Sequence, residues 1–562
     1  MPSRWDVLAF FLVMGFFIYF AEAAHGLTQS LAKLQAIPIS LDPHALIGYS
    51  ARTALRMLIA MFLSLVFAFT YATLAAKSRR AEIVLVPLLD ILQSVPILGF
   101  SSITIVPFMA LTPGKVAGAE MACIFLIFTS QAWNMAFSFY QSLRSIPDEL
   151  QEVARSFRLS PWLRFWRLEV PFGMPPLIWN MMMSMSGGWF FVVFSEAMSV
   201  GHTTVTLPGV GSYVALAVEQ RNLGAIGWAI AAMFVVILVF DQLLFRPLIA
   251  GADWFRLEQE TGFSTSNSWA LTMMRRSRLL NVLTRTFAKV LRSGPKPLRL
   301  PEGAAPRKPA DPHRSAAADK AYYAFLAVLG AVALWKAVHF VLSQVDLTEV
   351  WRVTGFGLVT LLRVVVLIAL ASLLWVPIGV YVGMRPRVAS VVQPVAQFLS
   401  AFPANLFFPV VVSAIVLFRA SPNVWLSPLM ILGTQWYILF NVIAGASAIP
   451  TDLRYASQNL KIRGWLWWKR VALPAVFPFY LTGAITASGG SWNAAINAEV
   501  ATWGHERLTA TGLGAYIAEA TDAGDFRRIV LGIAIMSIFV VLLNRFFWRP
   551  LYESAQRRFK LQ

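Results

Sequence analysis

The sequence predicts an all-α polytopic membrane protein built from two tandem six-span halves, and three observations carry that prediction. Of 562 residues, 57% are hydrophobic and only 13% charged, where a soluble chain carries about a quarter charged residues. Apolar runs of about 20 residues recur, the length that crosses a bilayer core as a helix. The chain also repeats itself. Adding 303 to a first-half number gives its partner: Pro147 and Pro450, Leu150 and Leu453, Trp162 and Trp465, Arg167 and Arg470, Glu196 and Glu499, Gly211 and Gly514. A constant register over so long a stretch marks a duplication.

Taken in order, the first half places spans near 6–24, 49–76, 84–110, 117–140, 174–200 and 224–249. The second places them near 322–343, 354–382, 390–418, 424–446, 476–501 and 528–549. The opening run could pass for a secretory signal, with Ala21-Glu22-Ala23 as its cleavage site. We expect a true first span, because the second half opens with a comparable run, Tyr322 to Leu342. Early spans match at an offset of 307 instead, pairing Thr53 and Arg56 with Thr360 and Arg363, and Pro96 with Pro403. A loop insertion before Trp133 and Trp436 absorbs the difference.

Lys77, Arg79, Arg80, Arg385 and Arg387 lie in short loops that fall on one side if both termini are cytoplasmic, as the positive-inside rule prefers. The same bias accounts for the net charge of +19 without nucleic acid. The only cysteine, Cys123, sits in an apolar run and reads as a buried small hydrophobe. The six histidines are scattered, so no metal or catalytic cluster is expected, and the chain reads as no enzyme.

Domain boundaries follow: a first half at 1–250, a linker at 251–320 and a second half at 321–562. Within the linker, Leu280, Leu283, Phe287, Val290 and Leu291 form one stripe among basic residues, as in a helix lying on an anionic membrane surface. The proline-rich stretch from Ser293 to Lys320 reads as a disordered tether.

The repeated segments at about 148–159 and 451–462 are the informative ones. Leu150, Val153, Ala154 and Phe157 stand at i, i+3, i+4 and i+7, the spacing of an apolar helical stripe. Leu453, Ala456, Ser457 and Leu460 repeat it. Pro147 and Pro450 suit a helix start, and Pro161 and Gly464 a stop. Such a helix is too short to span a bilayer. It could dock a partner or lie on lipid, and periodicity leaves both open.

These segments resemble the EAA loop of bacterial ABC-importer permeases, whose pattern is Glu-Ala-Ala, three residues, Gly, then Pro further on. The first copy reads Glu152-Val153-Ala154, with Arg158 at the glycine position and Val170-Pro171 beyond. The second reads Tyr455-Ala456-Ser457, with Lys461 and then Leu473-Pro474. Both copies lack the glycine and the second lacks the glutamate. Ile-Pro before each loop, Glu196 and Glu499 late in the following span, and Gly209-Val210-Gly211 with Gly512-Leu513-Gly514 complete the likeness. Together they look like the nitrate/sulfonate/taurine branch with type I importer permease domains.

The resemblance implies two coupling helices seated on two ATPase subunits, a periplasmic substrate-binding protein as partner, and the bacterial inner membrane as location. It also implies alternating access and a small cargo such as nitrate, bicarbonate or an organosulfonate. Gly114-Lys115 lacks the rest of a phosphate-binding loop, so ATP and Mg²⁺ would be held by the partner subunits. No cofactor is expected in this chain.

For the route through the membrane, polar residues inside spans are the candidates. These are Gln93 and Ser94 beside Pro96, Asn405 beside Pro403, and Trp189, Trp492 and Asn493 beside glycine-rich turns of the fifth and eleventh spans. The glycines equally suit close helix packing. Glu196 and Glu499 either line the route or pair with a nearby base or backbone donor. Two unpaired carboxylates would repel an anion, which favours pairing. Phe190 against Asn493, Ser138 against Asn441 and Asp241 against Asn544 predict a lopsided centre. A secondary transporter driven by an ion gradient is the competing reading. It would not need paired short helices at matched positions.

Overall fold

The computed structural model describes residues 38–94, 97–200, 203–248, 312–343 and 345–558, with isolated positions elsewhere. The expected first span and nearly all of the linker lie outside these residues.

The first half begins with α1 (Ala45–Lys77), α2 (Arg79–Ser94), α3 (Ile97–Leu111) and α4 (Val116–Arg144). The short α5 (Asp148–Ser156) follows, then α6 (Val170–Ser195), an antiparallel hairpin of β1 (Ala197–Val200) and β2 (Thr203–Thr206), α7 (Val210–Glu219) and α8 (Leu223–Phe240).

The second half repeats this plan. It runs through α9 (Pro312–Leu342), α10 (Leu347–Gly383), α11 (Pro386–Ala401), α12 (Phe408–Leu417), α13 (Gln435–Ser447), short α14 (Thr451–Asn459) and α15 (Leu473–Ala498). Then come the β3 (Val500–Trp503) and β4 (Glu506–Thr509) hairpin, α16 (Leu513–Asp522), α17 (Phe526–Leu543) and α18 (Arg549–Arg558).

Among the described residues, seven helices are long and apolar enough to cross a membrane, or ten if each bent pair counts as one span. The chain is thus an all-α polytopic membrane protein. Helix α9 begins at Pro312, inside the stretch expected as a tether. Proline there needs no N–H donor, and Ala316-Ala317-Ala318 propagates helix readily.

The span expected at 390–418 is broken by 71° between α11 and the segment from Ala404. Phe402, before Pro403, is held extended by the proline ring. The span expected as continuous at 424–446 is also bent, by 46°, whereas its first-half counterpart α4 runs 29 residues without a break. The cause is local. Pro422, Pro428 and Gly433 stand where the first half has Ala119, Phe125 and Ser130.

Four π-helical turns recur in register: Phe165–Glu169 with Trp468–Ala472, and Asp241–Phe245 with Asn544–Trp548. Each ends two residues before a proline: Pro171, Pro474, Pro247 or Pro550. Proline cannot donate to the carbonyl four residues back and its ring crowds that carbonyl. The wider turn lets the preceding N–H, such as that of Val170 on Phe165 O, bond five residues back.

One core runs through both halves, so they pack as one body. At the hairpin end, Gly504 N donates to Val218 O at 3.0 Å and Arg221 meets Glu506 at 3.3 Å. Because α6 and α15 each run from a short helix to a hairpin, α5 and α14 share the opposite end of the bundle.

Candidate coupling helices and translocation interface

Helices α5 and α14 sit between spans with their apolar residues largely in the open. Ala154 and Ser457 face inward and are buried, which fixes the side each helix turns to its own half. Val153, Phe157, Tyr455 and Leu460 are exposed, Phe157 at 76% and Leu460 at 72%. Leu150 is half-buried, and Leu453 sits at 36%. Glu152, Arg158, Ala456 and Lys461 are exposed as well.

Both helices stop in the same way. Arg158 and Lys461 adopt φ of 48° and 53°, while Leu159 N bonds Ala154 O and Ile462 N bonds Ser457 O. This is the Schellman closure, whose left-handed residue is normally glycine. The geometry of the motif's glycine is therefore kept while the glycine itself is not.

At the other end of α6 and α15, the two acids are enclosed. Glu196 Oε1 accepts from Thr53 Oγ1 at 2.7 Å and from Arg56 Nη1 at 2.6 Å, and its Oε2 accepts from Gly211 N at 2.7 Å. Glu499 accepts from Thr360 Oγ1 at 2.8 Å, Arg363 Nη1 at 3.0 Å and Ala515 N at 3.1 Å. Each carboxylate thus ties the second span of its half to the first turn of α7 or α16, whose N-terminal amides favour negative charge. The threonines complete the tie by accepting from Val210 N and Leu513 N. A Cβ on Gly209 or Gly512 would run into the carboxylate, and one on Gly211 into Val193 O. Close approach is why these positions are glycine.

The two clasps differ in one residue. Arg56 also makes a bidentate pair with Glu120, both bonds at 2.7 Å, and bonds Pro208 O. Arg363 instead reaches Asn423, the counterpart of Glu120, at 3.1 Å. Among the described residues, two carboxylates hold the first arginine and one holds the second.

The remaining path candidates divide. Trp189 and Trp492 are buried inside their own halves, Trp189 edge-on to Phe240 at 5.0 Å and Trp492 stacked on Phe539 at 6.2 Å. Neither borders an open route in this conformation. Gln93 is exposed and donates to Asn134 at 2.9 Å, and the Ser94 side chain lies outside the described residues. Asn493 is half-buried and donates to Gly489 O within its own helix.

Asn405 does cross between the halves. Its amide donates to Phe190 O at 3.0 Å, and its own carbonyl is buried without a hydrogen-bond partner. Tyr437 crosses likewise to Met183 O at 3.5 Å, and Gln397 approaches Met182 sulfur at 3.8 Å. Phe190 meets Phe408 and Phe234 meets Phe398 across the same seam. Tyr437 and Gln397 were not singled out from the sequence. The available signal was a polar tip inside an apolar run. The glycines of the fifth and eleventh spans serve packing: Gly188 abuts Met57 and Gln131, and Gly490 abuts Thr434.

A family model described as the binding-protein-dependent transport system inner membrane component matches twice, at residues 60–246 and 375–549. Among curated relatives, the nitrate import permease protein NrtB of Leptolyngbya laminosa is 28% identical over 202 residues, 36% of this chain and 67% of that protein. The bicarbonate transport system permease protein CmpB of Synechococcus elongatus is 27% identical over 187 residues, 33% and 64%. The glycine betaine/carnitine transport permease protein GbuB of Listeria monocytogenes is 25% identical over 170 residues, 30% and 54%. Each relative aligns to roughly one half's worth of chain, whereas the family model is met twice in one register. The chain belongs to the binding-protein-dependent transport system inner membrane component family, as a fused duplicate carrying two permease units in one polypeptide.

Proposed function

We propose that the protein is the permease of an ATP-driven importer that moves a small anion across the bacterial inner membrane by alternating access. The observation that carries this reading is the pair of short helices α5 and α14. They share one end of the bundle and present Phe157 and Leu460 outward at matched positions, with Val153 and Tyr455 exposed beside them. Lone apolar residues on a surface mean little, but apolar residues exposed on both duplicated helices suit a two-fold partner.

On this reading each helix seats on one ATPase subunit, so one chain recruits two, and ATP and Mg²⁺ stay in those subunits. The end bearing α5 and α14 then faces the cytoplasm with both chain termini. The hairpin end faces the periplasm, where a substrate-binding protein delivers cargo. Closure of the ATPases draws α5 and α14 together and rocks the halves about the seam where Asn405, Tyr437 and the phenylalanine pairs meet.

The nitrate and bicarbonate permeases among the relatives support a small oxyanion as cargo. Pairing of Glu196 and Glu499 with arginine is compatible with such a cargo, since neither carboxylate stands bare toward it. The test is co-purification. The wild-type chain should carry its ATPase through affinity purification, and the quadruple variant Val153→Asp, Phe157→Asp, Tyr455→Asp, Leu460→Asp should lose it. Retention of the ATPase by a folded quadruple variant would refute the docking role.

A further inference from the structure

Beside the second short helix lies an open surface cavity of about 490 Å³, lined by Met384, Arg454, Gln458, Arg463, Trp467 and Trp468 among others. The duplication shows what is unusual about it. In the first half the matched place is filled by an ion cluster: Glu169, 2% exposed, lies 2.7 Å from Lys77 and 3.2 Å from Arg164. Arg164 continues to Gln151 at 3.3 Å, and Lys77 covers the Phe165 ring. In the second half Met384 replaces Lys77, Trp467 replaces Arg164 and Ala472 replaces Glu169. The carboxylate is gone, and Met384 and Trp467 border open space.

Positive charge has not gone with it. Arg454 replaces Gln151 and Arg463 replaces Ser160, and no acidic side chain lines the cavity. Arg454 spends Nη2 on Ala446 O and Ser447 O, at 3.1 and 3.4 Å, while its buried Nε has no hydrogen-bond partner. A buried guanidinium N–H without an acceptor is costly, and an anion supplied from outside would satisfy it. Lys461, Lys469 and Arg470 are exposed in the same stretch of chain and add to the positive field.

We propose that this cavity binds a phosphate-bearing anion, which supplies the negative charge that Glu169 provides in the first half and locks α14 to its spans. Two sources share that chemistry, an anionic phospholipid headgroup and free phosphate. The cavity lies where α10 ends and where Trp467 and Trp468 lead toward α15, and paired aromatic and basic residues of this kind suit lipid headgroups. The site goes beyond transport itself, and its test needs no transport.

The full-length chain, purified in detergent, is examined by native mass spectrometry with phosphatidylglycerol or phosphatidylcholine added. A parallel calorimetric titration uses inorganic phosphate. Phosphatidylglycerol should be retained over phosphatidylcholine, and the double variant Arg454→Gln, Arg463→Gln should bind it about tenfold more weakly, as loss of one charge-assisted contact predicts. Binding of phosphate alone, with the same loss in the double variant, would assign the site to the soluble anion. Ala472→Glu, which restores an internal carboxylate, should displace either ligand. Equal retention of the two lipids with no phosphate binding would overturn the proposal. So would unchanged affinity in the double variant, or a structure of the assembled complex with an acidic ATPase side chain in the cavity.

Discussion

Removing the charge of Glu499 should destabilise the protein by about 3–5 kcal/mol, the cost of breaking a buried pair at one partner. The contacts explain the size. Glu499 is 1% exposed and is the one carboxylate on Arg363, whose other contact is the neutral amide of Asn423. In Glu499→Gln the guanidinium keeps no counter-charge, and the new amide N–H₂ cannot accept from both Thr360 and Ala515. Glu196→Gln, the matched change, should cost less, about 1–3 kcal/mol. Arg56 there retains Glu120 through two bonds of 2.7 Å, and losing one of two neighbouring carboxylates relieves their mutual repulsion. Replacing both Glu499 and Arg363 by apolar residues of similar volume should be milder than Glu499→Gln alone, because no buried charge is orphaned. Thermal unfolding of purified variants in one detergent reads all three. Equal losses for Glu196→Gln and Glu499→Gln, or a double variant as damaged as the sum of its parts, would refute the asymmetric-clasp reasoning.

Three further outcomes follow from the same geometry. Phe157→Asp with Leu460→Asp should leave thermal stability within about 0.5 kcal/mol, since both side chains are exposed, while ATPase co-purification is lost. Arg158→Gly and Lys461→Gly should each stabilise their helix end by about 1 kcal/mol by removing a side chain from a left-handed residue, read as slower amide exchange over 154–162 and 457–465. Asn493→Ala should lower uptake in vesicles more than Phe190→Ala if the central site is lopsided toward the second half; equal effects would count against that asymmetry.

How much of this was legible in the sequence depends on whether the signal was periodic or three-dimensional. Helices α5 and α14 announced themselves, because an apolar stripe between a starting proline and a stop is a one-dimensional pattern. Thr53, Arg56 and Glu196 were each found as matched positions, yet nothing in their spacing joins residues 140 or more apart, and only folding made them one clasp. The Gly-x-Gly motif was likewise visible as letters. Its reason, a carboxylate pressed against the backbone, was not. Trp189 and Trp492 were candidates for the route beside glycines that equally suited packing; those glycines admit Met57, Gln131 and Thr434, and the tryptophans lie against the last span of each half.

The π-turns mark the boundary most clearly. A proline deep in an apolar run forecasts a lost hydrogen bond but not how the helix repairs it. Four prolines, in two matched pairs, are met by the same one-residue widening. Two of those turns lie between the short helices and α6 or α15, the spans that reach the clasps. A widened turn holds weaker hydrogen bonds than the helix on either side of it. Displacement of α5 or α14 should therefore be taken up at Phe165–Glu169 and Trp468–Ala472 rather than spread along the span. The first of these turns holds Glu169 with Lys77 and Arg164, and the second opens toward the cavity. A stiffened hinge in one half and a looser one in the other make the two halves unequal levers, although the chain that built them is a repeat.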